Sequence, residues 1–162
     1  MFETSDLSQL PKPMLYAELD SQLRGLIAGE PDSVANLANA AALIFHALPN
    51  LNWAGFYLMR DGELVVGPFQ GRPACVRIAV GRGVCGTAVA EAKTQNVRDV
   101  EAFPGHIPCD AASRSELVVP LIVNGRVLGV LDLDSPNLAR FDAEDAAGCE
   151  RLVATLIAAD VV

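Results

Sequence analysis

Apolar residues return at helical spacing over residues 16–27 and again over 32–48, where Val34, Leu37, Ala38, Ala41, Ile44, Phe45 and Leu48 share one broad face. Pro31-Asp32 opens the second predicted helix and Pro49-Asn50 closes it. From Asn52 the period shortens. Residues 53–59 and 63–66 flank Asp61-Gly62 and predict a β-hairpin, followed by a third strand over 76–80. The glycine-marked turn Gly81-Arg82-Gly83 leads into a short Ala-rich helix ending near Lys93. A strand over 95–97 precedes a loop of about 15 residues, a length that in a compact domain usually serves function or is disordered. Residues 115–123 and 126–134 flank Asn124-Gly125, the strongest short-range hairpin signal in the chain. Asp142 is placed to cap a last helix with Cys149, Leu152, Val153, Leu156 and Ile157 at i, i+3, i+4, i+7 and i+8.

With no internal repeat and no linker, this order predicts one α+β domain over residues 1–162. Its helices fall at about 14–48 and 142–159, and its sheet and loops at about 52–135. The sheet is expected to be antiparallel, of about six strands, with helices mainly on one face. At 162 residues, 51% of them apolar and 20% charged, the chain has the composition of a globular domain large enough to bury a core unaided. A net charge of -8 argues against a broad phosphate-binding face, so nucleic acid is not an expected partner. No apolar run approaches the length of a bilayer span, and the first residues carry no basic start or apolar signal core. A cytoplasmic protein without a membrane partner is expected. In that reducing compartment four cysteines point to transient thiol chemistry or metal binding before structural disulfides.

Three of the four cysteines, Cys75, Cys85 and Cys109, fall in the middle third of the chain on segments that read as accessible loops or element ends. A structural zinc site usually shows a close Cys pair. Here the gaps are wide, and His106 with Cys109 is the one ligand-like pair, so no metal is expected. A redox pair needs an attacking thiolate and a second thiol within reach in the fold; Cys109, in the polar loop, is the natural attacker. Cys85 also fits a buried helix-start residue, and Cys149 a small core residue. His106 is given no catalytic role.

The strand alternation of 127–134 puts Asp132 and Asp134 on one face, continuing the row of Leu128 and Val130. Two like charges there raise each other's proton affinity or attract a cation, although an isolated Asp-x-Asp more often just reaches solvent at a strand end. A plain two-residue turn at Asn124-Gly125 pairs Glu116 with Leu133, on the opposite face. For Glu116 to join the two aspartates a bulge must change the register, and Pro120 marks a place for it. Trp53 and Tyr57 share one strand face, either as core or as a pocket wall.

Six motifs carry a resemblance: Trp53-Ala54-Gly55-Phe56-Tyr57, Gly83-Val84-Cys85-Gly86-Thr87-Ala88, Phe103-Pro104-Gly105-His106-Ile107, Cys109-Asp110, Ser113-Arg114-Ser115-Glu116 and Gly129-Val130-Leu131-Asp132-Leu133-Asp134-Ser135. Together they resemble the free methionine-(R)-sulfoxide reductases, single GAF domains; Pro108 departs from the small residue usual before that cysteine. The resemblance implies Cys109 as attacking thiol, Cys75 as resolving thiol and Cys85 as a relay or secondary resolving thiol. It implies a pocket lined by Glu116, Asp132 and Asp134, with Trp53 against the substrate methyl and Tyr57 beside it. It further implies an oxidoreductase without metal or flavin, acting on free methionine sulfoxide, recycled by a thioredoxin-type dithiol, and homodimeric. A stand-alone GAF module that senses a small ligand or oxidant without turnover is the alternative, and an interaction protein with inert thiols a third reading.

Overall fold

The structure is a computed structural model and describes residues 7, 9–107 and 109–161. Two helices come first, α1 (Lys12–Ile27) and α2 (Ser33–Ala47), then the hairpin β1 (Trp53–Arg60) and β2 (Glu63–Gly71), and β3 (Arg77–Ala79). Helix α3 (Gly83–Glu91), β4 (Gln95–Val97), a 3₁₀ turn over Val100–Ala102, the hairpin β5 (Ser115–Val123) and β6 (Arg126–Ser135), and α4 (Ala143–Ala158) complete the chain. All strands join one antiparallel sheet in the order β3-β2-β1-β6-β5-β4. The expected α+β architecture, one antiparallel sheet of six strands, is therefore present.

Local chemistry explains most boundaries. The Asp32 side chain accepts the Ala35 N–H at the start of α2, and Asp142 does the same for Glu144 and Asp145 at α4. The Asp145 carboxylate reaches back to the Asp142 N–H, closing a capping box. Both tight turns adopt the left-handed backbone their sequences invite, Asn124 and Gly125 at φ 50° and 77°, Asp61 and Gly62 at 51° and 87°. Several limits shift from the sequence reading. Helix α1 starts earlier, just after Pro11; β2 runs on to Gly71; β3 is shorter, and α3 stops at Glu91 with Ala92 left-handed.

Helices α2 and α4 pack on one sheet face and α1 packs on both of them, building a core around Leu19, Leu23, Ile44, Phe56, Leu131 and Leu156. Val34, expected on the buried face of α2, is exposed at the first turn, before the helix reaches its neighbours. Among the described residues helix α3 alone lies on the other face, over a second cluster containing Trp53, Tyr57, Ile78, Cys85, Val118 and Val130. Gly86 lets α3 sit close to β3, because a Cβ there would lie 2.4 Å from the Ala79 carbonyl oxygen. That second face carries the site.

Candidate active site

Cys75 and Cys109 are joined by a disulfide across 34 residues of sequence, with Cα atoms 5.5 Å apart. Both are half-buried. The loop of Cys75 is held from β1: Trp53 Nε1 donates to the Arg72 carbonyl at 3.2 Å, and Tyr57 Oη donates to the Cys75 carbonyl at 3.0 Å. The two rings stack 5.8 Å apart, and Trp53 also stacks on Phe69 at 5.2 Å. Each aromatic therefore packs with its ring and holds the loop with its polar tip.

The loop of Cys109 is held from the residue just before β1. Asn52 Nδ2 donates to Asp110 Oδ2 at 3.1 Å and to Ser113 Oγ at 3.0 Å, while the Ala112 N–H donates to Asp110 Oδ1. Those hydrogen bonds, first that from Ala112, then that from Asn52, together with Arg72, keep the Asp110 carboxyl below the usual carboxylate range. Arg72 Nη1 lies 3.8 Å from Asp110, linking the two loops across the disulfide. The disulfide is thus framed by groups on two neighbouring strands and their flanks.

Beneath the disulfide lies an acidic floor. Glu116 pairs with Asp134 and Val118 with Asp132 across the β5–β6 ladder, so all three carboxyls share the face of Tyr57 and Val130. The plain register that would set Glu116 opposite Leu133 is not adopted. Ile122 pairs with Val127 but Leu121 pairs with Gly129, which leaves Leu128 unpaired with β5 as a bulge. The bulge lies one pair closer to the turn than Pro120, which pairs regularly with Val130, and it breaks the row at Leu128.

Of the two sequence readings of Cys85, accessible thiol or buried helix-start residue, the second holds: it lies in the first turn of α3 and is only 3% exposed. Its place in the first turn of α3 aims the thiol at the floor, where it donates to Glu116 Oε1 at 3.8 Å. Burial, then the negative charge of Asp132, Glu116 and Asp134, pushes this thiol well above its ordinary range. The same two causes act on the acids. Burial, and after it Asp132 and Asp134, raises Glu116 well above the carboxylate range; burial, then Asp132, does so for Asp134. Burial pushes Asp132 up to about 7, and its Oδ1 is buried without a hydrogen-bond partner. Protonated acids are what such a floor favours.

The cavity between disulfide and floor measures about 40 Å³, enough to admit water. All eight residues singled out from the sequence meet around it or hold its walls. His106 also lines it, and burial lowers its pKa, which favours the neutral ring and gives Cys109 no cation there. Cys149 lies on the other side of the sheet, fully buried with its thiol 3.9 Å from Tyr16 Oη. Sequence reasoning gave no role to Asn52, Arg72, Asp110 or Ser113. Asp110 and Ser113 stand inside the quoted motifs and Asn52 directly precedes one, which was the available signal. Pro108 lies outside the described residues.

Comparison with known proteins identifies the family of the chain. The family model for the GAF domain matches residues 34–159. The chain is 54% identical over 145 residues to the free methionine-R-sulfoxide reductase of Escherichia coli K12, covering 90% of this chain and 88% of that one. With the enzyme of the same name from Saccharomyces cerevisiae it shares 45% identity over 153 residues, 90% of this chain and 85% of the other. Among solved structures, free methionine-R-sulfoxide reductase from Neisseria meningitidis in complex with its substrate superposes with a TM-score of 0.93 at 47% identity, covering 98% and 95% of the two chains. On sequence and fold alike, this chain belongs to the GAF-domain family of free methionine-R-sulfoxide reductases.

Proposed function

We propose that this protein reduces free L-methionine-(R)-sulfoxide to L-methionine by thiol chemistry centred on Cys109. The observation that carries the reading is a cysteine pair already within bonding distance, set above three carboxyls, Glu116 and Asp132 buried and Asp134 half-buried, that desolvation holds toward their protonated forms. In the reduced protein the Cys109 thiolate attacks the sulfoxide sulfur while a protonated carboxyl, Glu116 or Asp134, gives its proton to the departing oxygen. The oxygen passes to Cys109 as a sulfenic acid and methionine leaves. Cys75 then attacks that sulfur, water departs, and the disulfide forms. A thioredoxin-type dithiol restores both thiols by exchange and is itself oxidised. Each step balances without a metal or flavin.

Asp132, with one oxygen unpaired, suits the substrate's α-ammonium group. Trp53, its indole buried against Tyr57, offers a flat apolar wall to the methyl. Cys85 shapes the floor and is the reserve resolving thiol. Homodimeric assembly completes the reading and rests on the family resemblance.

The test is a single-turnover count of methionine from reduced protein freed of small thiols. The unsubstituted protein and Cys75→Ser should each release about one methionine per chain, after which the unsubstituted protein resumes at full rate when thioredoxin is supplied and Cys75→Ser stalls or resumes only slowly through Cys85. Cys109→Ser should release none, and methionine formation by that variant would overturn the assignment.

A further inference from the structure

Cys85, Glu116 and Asp132 come from three separate elements, α3, β5 and β6, yet offer one sulfur and two carboxylate oxygens within 4.8 Å of one another. All three residues are buried. The 3.8 Å between Cys85 Sγ and Glu116 Oε1 is close to the edge of a tetrahedron with sulfur at about 2.3 Å and oxygen at about 2.0 Å from a central zinc ion. Independently, Asp132 is 5% exposed, lines the cavity, and keeps its Oδ1 without a partner among the described residues. A buried carboxylate oxygen with nothing to accept from calls for a cation. Of the two arginines lining the cavity, Arg72 is paired with Asp110 and Arg82 is exposed, so neither places its charge in the cluster.

We propose that Cys85, Glu116 and Asp132 form a binding site for a divalent cation of borderline softness, zinc in class, with a fourth position open to the cavity. A mixed sulfur and carboxylate set selects such an ion over magnesium or calcium, which take oxygen alone. The thiol and carboxyl protons are released to solvent on binding, and the ion's two positive charges replace them. Cys85 stands outside the Cys75–Cys109 disulfide, so the site persists in the oxidised protein. Resting on the function proposed above, its consequence is reversible inhibition: the ion occupies the Asp132 oxygen that suits the substrate's ammonium group.

Metal binding is read without turnover, which separates this proposal from the catalytic one. The disulfide form of the full chain is titrated with cobalt(II), followed by competition with zinc. One equivalent should bind per chain with a sulfur-to-cobalt charge-transfer band that zinc abolishes. Cys85→Ser should lose the band, Cys149→Ser should keep it, and Glu116→Gln and Asp132→Asn should each weaken binding about tenfold or more, in proteins whose circular dichroism matches the unsubstituted chain. Absence of the band, its persistence in Cys85→Ser, or unchanged affinity in both carboxyl variants would overturn the proposal.

Discussion

Because burial raises Asp132 to about 7, its carboxyl keeps a proton in the folded chain over a range where the unfolded chain has lost it. The folded state then binds more protons than the unfolded state, so the stability contributed by this group is complete below the ordinary value near 3.8 and is lost as pH rises toward 7. Asp132→Asn removes the charged form. Its gain over the unsubstituted protein should grow from pH 4 to 7 by an amount on the order of a few kcal/mol, measured by urea denaturation across that range. Identical pH slopes in the two proteins would count against a buried, proton-retaining acid. The same residues divide by function: Asp132→Asn should chiefly raise KM, whereas Glu116→Gln and Asp134→Asn should chiefly lower kcat, because only the latter pair is assigned to the departing oxygen. Steady-state kinetics on all three variants checks this, and a lowered kcat with unchanged KM in Asp132→Asn would reverse the assignment.

Elements set these residues where the local pattern alone could not. Period, caps and the two turns with positive φ at Asp61-Gly62 and Asn124-Gly125 made every strand and helix legible in the sequence, and Asp132 with Asp134 was legible as one face of β6. Glu116 was not. One unpaired residue, Leu128, moves it from the partner of Leu133 to the partner of Asp134, and a bulge of one residue leaves little trace in a pattern of alternating apolar positions. The contact of Cys85 with Glu116 was equally hidden, since it depends on how α3 lies across the sheet. Gly86 controls that placement. Gly86→Ala would drive a Cβ into the Ala79 carbonyl oxygen and displace α3, at a cost of about 1–3 kcal/mol. Thermal unfolding and single-turnover methionine release should fall together; full activity with unchanged stability would show that α3 has room the structure denies it.

On the scale of the whole molecule the sheet separates two jobs. The face covered by α2 and α4 carries the larger core, tied by Tyr16 Oη and Arg140 Nη1 to the buried Asp145 carboxylate, while the α3 face carries the disulfide, Cys85 and the acids Glu116, Asp132 and Asp134. Cys149→Ala, on the first face, should cost only about 1 kcal/mol and keep full turnover; its recovery in the main intramolecular disulfide by mass mapping would contradict the separation. No helix among the described residues is long and apolar enough to cross a membrane. The proposed chemistry as a whole is tested most directly by following reduced nicotinamide consumed through thioredoxin reductase and thioredoxin, with each free methionine sulfoxide epimer and with N-acetylated methionine-(R)-sulfoxide offered separately. If the acidic pocket meets an α-ammonium group as proposed, the free R epimer should be turned over and its N-acetylated form should not, since a neutral amide would leave a buried carboxylate unpaired. Comparable consumption with the N-acetylated substrate, or none with the free R epimer, would contradict it.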